Sequence, residues 1–166
     1  MDINEQIVRA WLEMQGFLVK GRLRYKVTRG WSDIDFIAYR LHDGKKVAVD
    51  ITAWMMEYIS LSYVTESESV SYYRLFKSSL PEARSAIRQE FGVHDDNQYE
   101  IWFVVSYLAP TQRQEVESEC LKHVDRVVEL PKIMKDVVDY IKKAPGPSQE
   151  TEALQTIRAL VLCEIL

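Results

Sequence analysis

Two aspartates lie inside largely apolar stretches of the sequence, and their placement is the first indication of chemistry. Asp35 lies within the run SDIDFIA and Asp50 within VAVDITAW. An ionised carboxylate is costly to bury unless it pairs with a cation or accepts hydrogen bonds. One interpretation is that the two carboxylates pair with arginines or cap backbone groups. The other is that they converge and bind a metal ion.

Convergence of Asp35 and Asp50 would create an oxygen-rich site, with Glu5 from a preceding helix as a third acid. Carboxylate oxygens suit hard divalent cations such as Mg²⁺ or Mn²⁺. A metal ion there would lower the pKa of a bound water and stabilise the charge that develops on a phosphate during hydrolysis. This arrangement predicts metal-dependent hydrolysis of a phosphate ester.

A basic segment surrounds the first of these aspartates. Residues 20–47 contain eight Lys or Arg and three Asp, in a chain whose formal net charge is −4. Four cations alternate along this segment and a fifth follows: Lys20, Arg22, Arg24, Lys26 and Arg29. In a strand the first four would lie about 6.6–6.8 Å apart, a row suited to the phosphates of a nucleic-acid backbone. The alternative is a solvated face that protects a sheet edge from aggregation.

The elements that must position these residues follow from hydrophobic periodicity. The first half of the chain predicts a helix over 4–15 and strands over 17–27, 31–41 and 45–54. The helix has apolar residues at steps of three and four, and the first strand alternates with period two. Short turns join the three strands, so we expect a meander that places Asp35 and Asp50 on neighbouring strands.

The middle of the chain predicts a helical crossover to another strand. Residues 55–68 fit the end of a strand or the start of a helix, and both stay open. Residues 70–91 have helical periodicity, as one helix or as two separated at Pro81. The apolar run 99–108 predicts a strand buried on both faces, and a helix between two strands favours a parallel connection. We therefore expect an α/β fold with a mixed sheet.

The last third of the chain predicts a mostly helical extension. The expected elements are a helix over 111–122, a strand over 124–130, a helix over 131–143, a linker over 144–149 and a final helix over 150–166. Residues 1–143 would then form a single domain. The final helix has an apolar stripe that must cover a surface. That surface would belong either to its own domain or to a second copy in a homodimer.

With Asp35 in the second strand and Asp50 in the third, the element order resembles the core of the restriction-endonuclease-like, or PD-(D/E)xK, nuclease superfamily. The resemblance is nearest to small archaeal nucleases of the Holliday-junction-resolvase type and covers about residues 4–108. It rests on Asn4-Glu5 with Trp11, Leu12 and Gly16-Phe17, on Asp33 to Ala38, and on Val47 to Thr52.

This resemblance implies a restriction-endonuclease-like core over residues 1–108 and a metal-dependent endonuclease acting on duplex or branched DNA. It implies that Asp35 and Asp50 are Mg²⁺ ligands and that Glu5 is an accessory acid. It also implies the backbone carbonyl of Ile51 as a further ligand. The resemblance to dimeric nucleases makes a homodimer one of the two possibilities for the final helix, beside packing on its own domain.

The sequence departs from the family pattern at Thr52, where the pattern has a lysine. Threonine cannot supply the positive charge that orients the attacking water or stabilises the pentavalent phosphate. Lys46 shares the face of Asp50 but would lie roughly 13 Å along the strand. The other cations that could reach the site are Lys26, Arg74 and Lys77. One alternative is therefore an inactive nuclease-fold module that binds nucleic acid or serves in assembly, and another is a protein-interaction domain.

Composition fits one soluble globular domain. The chain has 166 residues, of which 47% are hydrophobic and 28% charged. Its two cysteines, Cys120 and Cys163, are too few for a disulfide framework and lack zinc-site spacing. The N-terminal segment lacks a signal-peptide pattern, and no apolar stretch approaches the ~20 residues of a membrane span. We expect a cytoplasmic protein with no membrane partner.

Overall fold

The computed structural model describes residues 2–28, 30–52, 58–65, 71–143 and 152–163. Its helices are α1 (Ile3–Met14), α2 (Leu61–Thr65), α3 (Ser71–Phe91), α4 (Arg113–Cys120), α5 (Leu130–Lys143) and α6 (Glu152–Leu162). Its strands are β1 (Phe17–Val27), β2 (Gly30–Arg40), β3 (Lys45–Thr52), β4 (Tyr58–Ile59), β5 (Glu100–Val105), β6 (Tyr107–Leu108) and β7 (Arg126–Glu129). Short 3₁₀ turns precede β5 and α4. The predicted α/β class is confirmed.

The main sheet has five strands in the order β1-β2-β3-β5-β7. The first three strands form the predicted antiparallel meander. β5 and β7 then join β3 in parallel, so the connection through α3 is the expected parallel crossover. This order of helix, meander, helix and strand is compatible with a restriction-endonuclease-like core. β4 and β6 form a separate parallel pair.

Helices cover both faces of the sheet, because the central strands are apolar on both faces. Ala48 and Phe103 belong to a core cluster with residues of α2, α3 and α4. Val49 and Trp102 belong to a second cluster with residues of α1, α5 and α6. The structure is therefore a three-layer arrangement with the sheet in the middle.

Helix α1 begins at a capping box that also fixes Glu5. The Asp2 side chain accepts a hydrogen bond from the Glu5 backbone N–H at 2.9 Å, and Glu5 accepts one from the Asp2 backbone N–H at 3.2 Å. The apolar face of the helix buries four large side chains: Ile7, Val8, Trp11 and Leu12. Capping and burial together hold the Glu5 carboxylate at the first turn.

One open alternative is resolved, and one prediction is wrong. The region around Pro81 is one continuous helix, the first of the two alternatives, so Pro81 neither ends a helix nor starts a second one. The strand predicted over 99–108 is interrupted at Ser106, and its two halves join different sheets. Ser106 is buried, as are Val105 and Leu108, whereas Tyr107 is 43% exposed. The near-continuous apolar run over 99–108 therefore gave no signal of this break.

The final helix α6 packs on its own chain. Ile157 is buried in the core cluster with residues of α1 and α5, and Leu154 and Val161 pack against the same cluster. The predicted linker over 144–149 lies outside the described residues. None of the helices in the described ranges is long and apolar enough to cross a membrane.

Candidate active site

The two candidate aspartates lie opposite each other where β2 separates from β3. The last paired residues of these strands are Phe36 and Val49, and continuation of that register places Asp35 opposite Asp50. β3 stays paired with β5 as far as Thr52. The side of β3 that faces β2 is thus left without a ladder partner beyond Val49.

The carboxylate of Asp35 takes the place of that missing partner. Its Oδ2 accepts a hydrogen bond of 2.7 Å from the backbone N–H of Ile51. Among the described residues, the other oxygen of Asp35 has no hydrogen bond or ion pair, and neither oxygen of Asp50 has one. Three carboxylate oxygens are therefore available to a ligand at this point of the sheet.

Both aspartates hold their protons more tightly than usual. Burial raises the pKa of Asp50 to about 8, and the carboxylates of Asp35 and Asp33 add to the effect. Burial likewise raises the pKa of Asp35 to about 6, opposed by the hydrogen bond from Ile51 and supported by Glu5. These pKa shifts have the cause expected where two carboxylates share one partly desolvated site.

Two more acids, Glu5 and Asp33, and one arginine, Arg22, complete this cluster. The Nη2 atom of Arg22 lies 3.5 Å from Oε1 of Glu5, and its Nε atom lies 3.7 Å from Oδ2 of Asp33. Glu5, then Asp33 and Asp35, raise the pKa of Arg22 above its ordinary value. Asp33 was not singled out by the sequence analysis as a site residue. The available signal was its position two residues before Asp35, on the same face of a strand.

The hairpin of β1 and β2 twists at the level of this cluster. Phe17 and Val19 pack with α1 and α5, whereas Leu23 and Tyr25 pack with α3. All four belong to one alternation set, so the strand turns this face from one helical layer to the other near Arg22. Strong right-handed twist is typical of two-stranded ribbons. The acids thus lie at the place where the twisted hairpin separates from β3.

The same twist divides the basic row predicted from the sequence. Lys20 lies 2.6 Å from Glu90 of α3, whereas Arg22 contacts Glu5 of α1 on the other layer. Arg24 lies over the ring of Trp31, with its Cζ atom 5.7 Å from the ring centre, and Trp31 is 65% exposed. Arg24, Lys26 and Trp31 thus line the far end of the hairpin, beside a cavity of about 650 Å³ against α3.

Thr52 and the possible replacement cations occupy separate places. Thr52 is buried, with 6% exposure, at the end of β3. Lys46 pairs with Tyr39 towards the other end of the strand, and Lys26 pairs with Trp31 in the distal hairpin. Arg29 and the side chains of Arg74 and Lys77 lie outside the described residues. Among the side chains that the structure describes, the cation beside the acids is Arg22.

The two aspartates give a divalent cation only part of its ligand set. The described ranges contain no group of three or more His, Cys, Asp or Glu side chains with the geometry to hold a metal ion. Magnesium keeps several water ligands and is commonly bound through one or two carboxylates together with substrate phosphate. The free oxygens of Asp35 and Asp50 fit that mode, whereas a metal held by protein side chains alone does not fit.

Comparisons with known proteins yield three solved structures and no family. No protein-family model matches the chain, and no curated protein matches it. The protein of unknown function AF1548 is 14% identical over 99% of this chain and 98% of its own, with a TM-score of 0.48. An XisH family protein from Nostoc punctiforme is 18% identical over 80% and 94%, with a TM-score of 0.43. The EndoMS-dsDNA2 complex is 17% identical over 76% of this chain and 44% of that chain, with a TM-score of 0.36.

Proposed function

We propose that this protein is a metal-dependent endonuclease that hydrolyses phosphodiester bonds of DNA, either duplex or branched. The observation that supports this function most is the placement of Asp35 and Asp50. They lie opposite each other on adjacent strands, where β2 separates from β3. Three of their oxygens are free of hydrogen bonds among the described residues. Ion pairs in a purely structural site would occupy such oxygens, and among the described residues neither aspartate forms an ion pair.

Each residue of the cluster has a role in this proposal. Asp35 and Asp50 would hold Mg²⁺ or Mn²⁺, and Asp35 is oriented by its hydrogen bond from Ile51. In an extended strand the N–H and C=O of one residue leave on the same side, so the Ile51 carbonyl would be a further ligand. Glu5 is an accessory acid held by the helix cap. The bound metal would activate a water and neutralise charge on the phosphate.

The far end of the β1–β2 hairpin, where Arg24, Lys26 and Trp31 lie, would hold the DNA. Among the described residues Arg24 and Lys26 have no ion pair, and both extend beside the exposed Trp31. Their charges are therefore free to contact phosphates.

Hydrolysis at the acid cluster forms one bond from phosphorus to a water oxygen and breaks one bond from phosphorus to an ester oxygen. The water supplies the proton that the leaving oxygen takes up.

A catalytically inactive module that binds nucleic acid or serves in assembly is the second candidate function. One observation favours it, namely that the position of the motif lysine holds the buried Thr52. Such a module would keep the hairpin contacts to DNA and lack cleavage. The proposal also includes a homodimer. The packing of α6 on its own chain does not support this part of the proposal.

Cleavage of closed circular DNA separates these functions. We expect the wild-type chain to nick or linearise a supercoiled plasmid in Mn²⁺, and to cut a labelled duplex or four-way junction. Asp50→Asn should abolish cleavage, whereas Asp43→Asn, an exposed carboxylate in the β2–β3 turn, should retain it. Intact plasmid and junction in the presence of bound DNA would refute the nuclease and support the inactive module.

A further inference from the structure

The acid cluster lacks a cation at the position where the sequence pattern has a lysine. Thr52 is uncharged and buried. Among the described residues, two acids and no cation affect the pKa of Asp50. A phosphodiester at this site would therefore bring a negative charge towards carboxylates, and the metal alone would have to compensate for it.

Arg22 approaches the cluster from the neighbouring strand. It occupies the position of β1 that lies opposite Asp35 when the β1–β2 register is continued. Its guanidinium contacts Glu5 at 3.5 Å and Asp33 at 3.7 Å. The same charge lowers the pKa of Asp35, so its field reaches the proposed metal ligand.

The contacts of Arg22 are those of a group that can exchange partners. Its side chain is 62% exposed, and both ion pairs are longer than a well-formed hydrogen bond. By contrast, Arg40 donates hydrogen bonds to both oxygens of Asp43, at 2.5 to 3.2 Å. Exposed ion pairs contribute little stability, so replacing carboxylates by a phosphate at Arg22 costs little. The planar guanidinium matches two phosphate oxygens.

We propose that Arg22 contacts the scissile phosphate and supplies the positive charge that Thr52 cannot. This inference rests on the proposed nuclease function. Arg22 stays protonated, so it stabilises negative charge on the phosphate and does not accept the proton of the attacking water. A divalent cation held by Asp35 and Asp50 would repel the guanidinium from the acids. Metal binding would therefore release Arg22 towards DNA, and the two ligands would strengthen each other.

The test compares Arg22→Gln and Arg22→Lys with Arg113→Gln. Arg113 is also an exposed arginine paired with a glutamate, Glu129, and lies outside the acid cluster. Binding of a labelled duplex is measured by fluorescence anisotropy in EDTA and in Ca²⁺. Cleavage is measured in Mn²⁺, and Mn²⁺ affinity by calorimetry. Thermal melting checks that each variant folds.

We expect Ca²⁺ to tighten DNA binding by the wild type and by Arg113→Gln. This gain in DNA affinity should disappear in Arg22→Gln. In Arg22→Gln, kcat should fall about 100-fold or more while Mn²⁺ affinity changes by less than about threefold, with partial recovery in Arg22→Lys. Cleavage by Arg22→Gln at the wild-type rate would overturn the inference and leave the nuclease standing. If the wild type binds DNA without cutting it, a Ca²⁺-dependent gain in DNA affinity that is lost in Arg22→Gln still supports the phosphate contact. A gain that Arg22→Gln keeps, or the absence of DNA binding, overturns the contact.

Discussion

Asp35 binds the backbone of the neighbouring strand: its Oδ2 accepts a 2.7 Å hydrogen bond from the N–H of Ile51. The bond forms just past the last β2–β3 pair, where β3 would otherwise have an open donor. A side chain thus replaces a main-chain partner at the position where the hairpin twists away. This bond fixes one oxygen of Asp35, and among the described residues the other oxygen has no hydrogen bond.

The first prediction concerns metal binding by the paired aspartates. Titration with Mn²⁺ at pH 8 should show one site, and Asp35→Asn or Asp50→Asn should each weaken it at least tenfold, because each removes an anionic ligand. Asp43→Asn removes an equally negative group from the β2–β3 turn and should leave the isotherm unchanged. Equal affinities for all four proteins would assign the aspartates to a purely structural role.

A second prediction follows from the raised pKa of Asp50. An acid whose folded-state pKa is about 8 and whose ordinary value is 3.8 favours folding while protonated, and this contribution is lost as pH rises through the folded pKa. In EDTA, urea unfolding should show wild-type stability falling by roughly 2 kcal/mol between pH 5 and pH 9.

Asp50→Asn should flatten this pH dependence, because the amide stays neutral throughout. Asp43→Asn is the control. Arg40 lowers the pKa of Asp43 below its ordinary range, so this variant should keep the wild-type loss between pH 5 and pH 9. Saturating Mn²⁺ should reverse the loss in the wild type, since the cation binds the ionised form. A wild-type stability that rises over this range contradicts the assignment of a raised pKa to Asp50.

A third prediction distinguishes the cations of β1. The combined change Arg24→Gln and Lys26→Gln should reduce the slope of log affinity for DNA against log salt by about two, because both charges are unpaired among the described residues. Lys20→Gln should change that slope by less than half a unit, because Lys20 is already paired with Glu90 at 2.6 Å. A change of about one unit for Lys20→Gln, half that of the double variant, would show that the whole row binds phosphate.

The sequence predicted the elements that carry the acids, and local patterns were sufficient for that. Alternation and the turn between β2 and β3 place Asp35 and Asp50 on neighbouring strands, and the structure confirms that meander. The opposition of the two residues depends on strand register, which a short turn largely determines. The assignment of a metal to them stays a prediction.

The sequence could not predict which cations face the acids. Period two puts Lys20 and Arg22 on one face of β1, yet they contact opposite helical layers. The cause is the twist of the hairpin, a feature of three-dimensional strand geometry that the alternation of residues does not reveal. The break at Ser106 has a similar origin, since the chain leaves the main sheet to pair β6 with β4.

The last prediction concerns α6, whose apolar stripe would cover either its own domain or a second copy. Ile157 is 5% exposed within the core cluster of α1 and α5, so Ile157→Ala should destabilise the monomer by about 2–4 kcal/mol through lost burial and the cavity left behind. Leu162→Ala removes a similar volume from a residue that is 76% exposed and should cost under about 0.5 kcal/mol. Urea unfolding measures both, and light scattering should give the same molar mass for the two variants and the wild type. A mass that halves in Ile157→Ala, with the unfolding free energy unchanged, would place this stripe in a dimer interface instead.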